Sequence, residues 1–427
     1  MKKITSNGRQ IVVVVLGSTG TGKSKLAIEL AKMFCGEIIS ADSMQVYKGL
    51  DIITNKVKDA EQQEIPHHLI DYVDPIYNYS VTDFRDEAVP LIEKLFNSGN
   101  LPIIVGGTNY YIEAILWKVL VSNLGSRKNY SYVNKSFVDM KENQKVLESD
   151  VSLHDKLKAI DPTMAAKIHP KDHRKIHSSL EVVKQHGRLH SDIINEQKQM
   201  DGGSSLGAPL RYKDAIIFWL DAEKNSKYIK YSKDQHTYCI TELDERLDER
   251  VDSMMRQGLV EELITFSKML HSVNNTQNDN ELSDYTHGIL QSIGFKEFHN
   301  YLTLTDDQRE NDKSLSEKYL LEGVERLKLV TRRYARKQIK WITNRFLKKP
   351  DRQISPVYKL DSTDLSKWEE NVYNPAVEIL RSHINGSQSH IDPVPVDQNP
   401  PSNERITFNC EDCDRLIVGE IQWNGEY

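Results

Sequence analysis

Six consecutive apolar residues, Ile11 to Leu16, most of them β-branched, run straight into Gly17-Ser18-Thr19-Gly20-Thr21-Gly22-Lys23-Ser24. No other stretch restricts the fold as much. A continuous apolar run of this length reads as a strand covered on both faces, which belongs in a parallel sheet. The octet fits G-x-x-x-x-G-K-[ST], whose glycines let backbone N–H groups turn inward around a phosphate. Lys23 adds a point charge and Ser24 a hydroxyl suited to Mg²⁺. From Ser24 to Phe34, Leu26, Ile28, Leu30, Ala31 and Phe34 fall at helical spacing. That helix aims its positive end at the anion.

Further strands are expected at Glu37–Ser40, at Leu101–Val105 ahead of Gly106-Gly107, and at Ala215–Leu220. Helical patterns lie between them, which predicts right-handed crossovers. The expected fold is α/β: a P-loop NTPase-like parallel sheet core, a helical insertion domain and a disordered C-terminal tail. The boundaries drawn are core over 1–120, insertion over 121–212, core again over 213–349, a C-terminal extension over 350–382, a Ser/Pro/Asn/Gln-rich disordered linker over 383–405 and a tail over 406–427. No internal repeat is evident.

No apolar run approaches the roughly 20 residues that span a bilayer, so no membrane is expected. Met1 to Gln10 is short and polar and lacks the apolar core of a secretory signal. Four cysteines in 427 residues is reduced-compartment usage. The expected location is the cytoplasm, with a mitochondrial or nuclear pool left open. A net charge of −6 does not point to nucleic acid, but the distribution does. Arg326 to Lys349 holds ten of the 56 basic residues and no acid. Ala335, Ile339, Ile342 and Phe346 give this helix an apolar docking face, and Tyr334 and Trp341 interleave aromatics with the charge. A merely solvated face would carry both signs, so Arg332, Arg333, Arg336 and Lys337 are expected on an RNA backbone.

The loop identifies a phosphate, not a reaction. An NTPase also needs an apolar strand ending in Asp for Mg²⁺. Leu101–Val105 ends in glycines, and Asp221 comes late. A P-loop nucleotide kinase or ATPase therefore stays as the alternative, with a non-catalytic RNA-binding protein as a second rival. Asp42 ends the second strand, at the sheet edge where ligands of α/β proteins sit. From position alone, a helix N-cap is the competing role for both Asp42 and Ser43. His67-His68 admits a metal pair, though a structural or substrate-side place is favoured.

Behind the phosphate loop come Asp42-Ser43-Met44-Gln45-Val46-Tyr47, Ile65-Pro66-His67-His68 and Gly106-Gly107-Thr108-Asn109-Tyr110-Tyr111. Leu247-Asp248-Glu249-Arg250-Val251, Gln291-Ser292-Ile293-Gly294-Phe295-Lys296-Glu297-Phe298 and Thr331-Arg332-Arg333-Tyr334-Ala335-Arg336-Lys337-Gln338 follow. In this order they resemble the motifs of tRNA dimethylallyltransferases, over roughly Ile11 to Leu347. The resemblance implies that the loop, Gly17 to Ser24, binds the pyrophosphate of dimethylallyl pyrophosphate rather than ATP. It implies transfer to N6 of adenine 37, beside the tRNA anticodon, giving N6-isopentenyladenosine. Asp42 matches the general base. With Ser43, Met44 and Gln45 it also matches the contacts to the flipped adenine. Thr108 matches a hydroxyl lining the channel, and Arg246 the arginine that neutralises the leaving group. Asp172, His173, Arg174, Lys175 and Ile176 match a tRNA-contacting segment of the insertion, and Arg127 or Lys128 an earlier basic contact. Eukaryotic relatives carry a C2H2 zinc finger where Cys410 and Cys413 stand. Two cysteines supply half a tetrahedral site, so a truncated finger is expected and zinc is left open. A monomer is expected.

Overall fold

The computed structural model of the protein describes residues 9–58, 62, 64–118, 152–204, 206–222, 226–230, 237–274, 285, 288–397, 407–409 and 416–418. They form two compact units. The first comprises the described residues of Met1–Ile115, Tyr212–Arg345 and Ser355–Pro395, and the second those of Leu116–Arg211, Phe346–Ile354 and Val396–Tyr427.

The first unit is built on a six-stranded, wholly parallel sheet. Its strands are β1 (Val12–Gly17), β2 (Gly36–Ser40), β3 (His67–His68), β4 (Leu101–Gly106), β5 (Ala215–Asp221) and β8 (Val357–Asp361). They lie in the order β3-β2-β4-β1-β5-β8. A two-stranded antiparallel pair, β6 (Ser226–Lys230) and β7 (Thr237–Thr241), stands apart from the sheet. β1 is buried along its whole length and lies between β4 and β5. Only an unbroken apolar run satisfies such a position, because helices cover both faces of a parallel sheet. Helix α1 (Lys23–Phe34) packs Leu26, Leu30 and Phe34 into the core beside Ile103 and Phe218. Helix α2 (Val81–Ser98) opens with a capping box between Ser80 and Asp83 and leads to β4. Helix α3 (Asn109–Leu116) leaves β4 through Gly107 and Thr108.

The sheet does not end where the sequence suggests. The segment 350–382, read as an extension, supplies β8, paired with β5 from Ile217↔Val357 to Asp221↔Asp361. Val-Tyr-Lys-Leu-Asp is a short edge strand whose Lys359 and Asp361 are exposed, so it carries no continuous apolar signature. The expected disorder from 383 also fails for its first part. His383 to Asn385 close a helix that begins at Asn374, and Val394 N donates to Val357 O at 2.7 Å.

In the second unit, α4 (Leu153–Ile160), α5 (Pro162–Ala165), α6 (His173–His186) and α7 (His190–Gln199) gather around Leu157, Met164, Ala165, Ile168 and Ile176. Buried Asp161 ties them together, accepting from Met164 N at 3.0 Å and Ser191 N at 2.8 Å. Ile176 is fully buried in this small core, which removes it from the expected RNA contacts. Asp172 is likewise occupied, as the N-cap of α6 and in an ion pair with Lys175 at 2.6 Å. His173 and Lys175 are exposed. Thr407–Asn409 and Leu416–Val418 form an antiparallel pair, where a wholly disordered tail was expected. Arg127, Lys128, Cys410, Cys413 and the side chain of Arg174 lie outside the described residues.

No helix among the described residues is long and apolar enough to cross a membrane.

Candidate active site

β1, β2 and β4 deliver their C-terminal ends to one crevice, where ligands of open α/β sheets bind. β1 ends in the phosphate loop. Gly22 holds φ 85° as the loop turns into α1, and a Cβ there would lie 2.7 Å from the Trp368 ring. β2 ends just ahead of Asp42. β4 ends at Gly106, where a Cβ would lie 2.1 Å from Ala41 O. Only glycine lets these two strand ends approach closely enough for Thr108 N to donate to Ala41 O at 3.2 Å.

A cavity of about 360 Å³ opens between them. Its wall includes Thr19, Gly20, Gly22, Lys23 and Ser24 of the loop, Ser40, Asp42 and Gln45 at and after the end of β2, and Arg250 from α8 (Glu242–Arg256). Lys23 Nζ donates to Ser18 O at 2.6 Å. Burial, and then the Arg250 guanidinium, bring its pKa down to about 8, against the opposing pull of Asp42. Asp42 accepts from Met44 N through Oδ1 at 3.0 Å. Its other oxygen makes no hydrogen bond among the described residues. Thr108 Oγ1 accepts from Ser43 N at 3.0 Å and donates to Ser43 Oγ at 3.3 Å. Gln45 spends its amide on Thr54 O and Asn55 O, both at 3.1 Å. Ser24 is exposed and makes no side-chain hydrogen bond among the described residues.

Of two arginines one helical turn apart, Arg250 and not the expected Arg246 lies on the cavity wall. Arg246 is held off the cavity wall, donating to Ser362 O at 2.9 Å, Thr363 O at 2.7 Å and Gly20 O at 3.4 Å. Arg250 reaches the wall and donates to Thr19 Oγ1 at 2.7 Å. In Leu243-Asp244-Glu245-Arg246-Leu247-Asp248-Glu249-Arg250 the same tetrad occurs twice, four residues apart, so both arginines share one helix face. Sequence alone offers no way to choose between them.

Three further groups of the site carry no signal in the sequence that would assign them. Trp368 closes the loop side of the cavity, with Nε1 donating to Glu29 at 2.9 Å and Lys25 Nζ lying 4.4 Å from its ring centre. Tyr334 and Gln338 come from α9 (Lys313–Ile342). Part of the Tyr334 ring is exposed, but its hydroxyl is turned inward to Gln338 and Thr108, and burial raises its pKa. Both residues stand in the basic motif, where the charge pattern draws attention away from them.

The histidine pair divides. Neighbours on a strand point to opposite faces. His68 bonds Glu37 at 2.6 Å, while His67 lies on the cavity wall with Nδ1 donating to Ile65 O at 2.8 Å. This is the structural and substrate-side arrangement rather than a metal pair.

α9 does not offer all its cations to a partner. Lys328, Arg332 and Arg336, one turn apart, pair with Asp252, Asp248 and Asp244 of α8 at 2.7, 2.5 and 2.8 Å. Arg332 and Arg336 therefore belong to an interhelical ladder, where acids already neutralise the charge expected to face RNA. Arg326, Arg333, Lys337 and Lys340 lie exposed on the other side and form no ion pair among the described residues.

A phosphate-loop motif at the end of β1, with Lys23, Arg250 and Asp42 on one cavity at the strand ends, defines a P-loop α/β protein. The sequence model of the family described as IPP transferase matches residues 45–345, and that described as isopentenyl transferase matches 10–72. A human tRNA dimethylallyltransferase is 45% identical over 96% of this chain and 83% of its own length. The Schizosaccharomyces pombe enzyme of the same name is 35% identical over 96% and 91%. A crystal structure of a eukaryotic dimethylallyltransferase acting on tRNA superposes over 97% of this chain and 93% of that one, with a TM-score of 0.69 and 30% identity. This chain belongs to the tRNA dimethylallyltransferase family.

Proposed function

We propose that this protein moves the dimethylallyl group of dimethylallyl pyrophosphate to the exocyclic N6 of adenine 37 in tRNA. The observation that carries the reading is one cavity shared by Asp42, Lys23 and Arg250. An exocyclic amine is a weak nucleophile because its lone pair is delocalised into the ring. As the N6–C1 bond forms, the C1–O bond to pyrophosphate breaks and one N6 proton passes to Asp42. The growing charge on pyrophosphate falls against the loop amides, Lys23 and Arg250. The hydroxyl of Ser24, exposed on the same wall, fits a Mg²⁺ ion. That ion would add Lewis-acid neutralisation of the leaving group.

The kinase or ATPase reading loses its support. Asp221, its candidate metal ligand, pairs with Lys359 at 3.0 Å and is not on the cavity wall. The test is label transfer from radioactive dimethylallyl pyrophosphate to an anticodon stem-loop. Label should enter RNA carrying adenine at position 37 and not RNA carrying guanine there. ATP hydrolysis without label transfer would refute the assignment.

The exposed cations of α9 give a second expectation. Replacing Arg333, Lys337 and Lys340 with Ala should weaken the binding of all tRNAs alike. It should also flatten the plot of log K against log salt by somewhat under one unit for each phosphate left without its cation. Replacing Arg332 and Arg336 should instead lower the melting temperature, since it leaves Asp248 and buried Asp244 unpaired. The opposite assignment of the two effects would put the RNA on the ladder face.

A further inference from the structure

Gln338 bonds to both halves of the site. Its Oε1 accepts from Thr19 N of the phosphate loop at 2.9 Å. Its Nε2 donates to Gly107 O at 2.9 Å, on the turn that carries Thr108. The side chain is buried at 5% exposure. Gly107 is shaped around it: a Cβ there would stand 2.3 Å from Nε2. Tyr334, one turn earlier, sets its hydroxyl beside Gln338 and Thr108.

We propose that Gln338 is a positioning residue that fixes the distance between the pyrophosphate loop and the acceptor side of the cavity. The inference rests on the transferase reading, in which the loop holds the donor and the Asp42–Thr108 side holds the amine. A primary amide suits this place because one end accepts and the other donates. The loop offers an N–H and the β4 turn offers a C=O, so neither a carboxylate nor an ammonium could satisfy both. Without the bridge the two strand ends are freer to separate by small amounts. A misplacement of about 1 Å between reacting groups costs up to about 10² in rate. Lodging the bridge in the helix that also displays Arg333, Lys337 and Lys340 gives RNA docking a direct mechanical line to the loop.

Four variants test this with dimethylallyl pyrophosphate and a stem-loop. Gln338→Met keeps the volume and removes both hydrogen bonds. It should lower kcat by about 10- to 100-fold while stem-loop affinity stays within about twofold. Gly107→Ala pushes the amide away from the other side and should give a similar loss. The double variant should be no worse than either single one, because both break the same bridge. Gln338→Glu supplies the decisive arm. A protonated carboxyl reproduces the amide pattern, with C=O accepting from Thr19 N and O–H donating to Gly107 O. An ionised one cannot donate. Its kcat relative to wild type should therefore rise as pH falls and overtake that of Gln338→Met, whose ratio stays flat. Dividing by wild type removes every pH effect that the two enzymes share. The proposal is overturned if Gln338→Glu never exceeds Gln338→Met, if the losses of the Met and Ala variants add, or if only KM changes. Absence of transfer by the wild-type protein would instead overturn the functional reading beneath it.

Discussion

Asp42→Ala is expected to lower kcat by about 10²–10⁴, the contribution of a positioned base, with stem-loop affinity close to normal. The carboxylate acts on a proton that leaves only as the new bond forms, so its removal raises the barrier without loosening the ground state. Asp42→Asn sharpens the test. Its amide oxygen can still accept from Met44 N, as Oδ1 does at 3.0 Å, so the turn after β2 keeps its hydrogen bond. Single-turnover rates measured with saturating donor isolate the chemical step. An Asn variant as slow as Ala assigns the loss to proton removal. Near-wild-type turnover in either variant would take the role of base away from Asp42.

Lys23→Ala is expected to cost about 10² or more in kcat/KM, with both donor binding and transfer impaired. In the proposed reaction Lys23 faces the charge that grows on pyrophosphate, from a cavity wall where its ammonium is partly desolvated. Its pH dependence follows from the same burial. In the free protein the pKa of the ammonium is held at about 8. Bound pyrophosphate favours the charged form and raises that value. Donor affinity is therefore fully present below pH 8. It falls as pH rises above 8, by up to about tenfold per unit, until the pKa of the bound state is reached. Isothermal titration of a non-hydrolysable donor analogue across about pH 7 to 9.5 measures the slope around the lysine's pKa. Lys23→Ala should flatten it. A slope that survives in the variant would assign the titration to another group.

Much of this protein is legible before folding. The phosphate loop is readable because local chemistry dictates it. Glycines, a lysine and a hydroxyl must follow a buried strand at fixed spacing, and no distant residue alters that demand. β1, β2, β4 and β5 announce themselves for a related reason, since burial on both faces leaves only apolar choices. Asp42 needs two further facts to become a site residue: the strand end it follows and the motif order behind it.

Other features depend on which surfaces meet. β8 is an edge strand, so its exposed polar residues imitate coil until β5 is seen beside it. Arg246 and Arg250 occupy one helix face with identical neighbours, and the orientation of α8 against the loop alone separates them. From Arg326 in α9 to Lys349 beyond its end, the sequence shows ten cations and no acid. The acids that neutralise three of them, Asp244, Asp248 and Asp252, lie about 80 residues away on another helix. Ile176 sits inside a motif expected to touch RNA, yet its side chain is needed in the small core of the insertion. Gln338 looks like a neutral spacer among charges, because the N–H and C=O it joins belong to segments more than 200 residues distant. Sequence by itself determined the groups bound to their function by local geometry: the loop, the buried strands and the carboxylate at a strand end. Tertiary structure decided every role set by a partner far along the chain, because charge pairing, burial and the bridging of two backbone groups are properties of pairs, and the pairs exist only after folding.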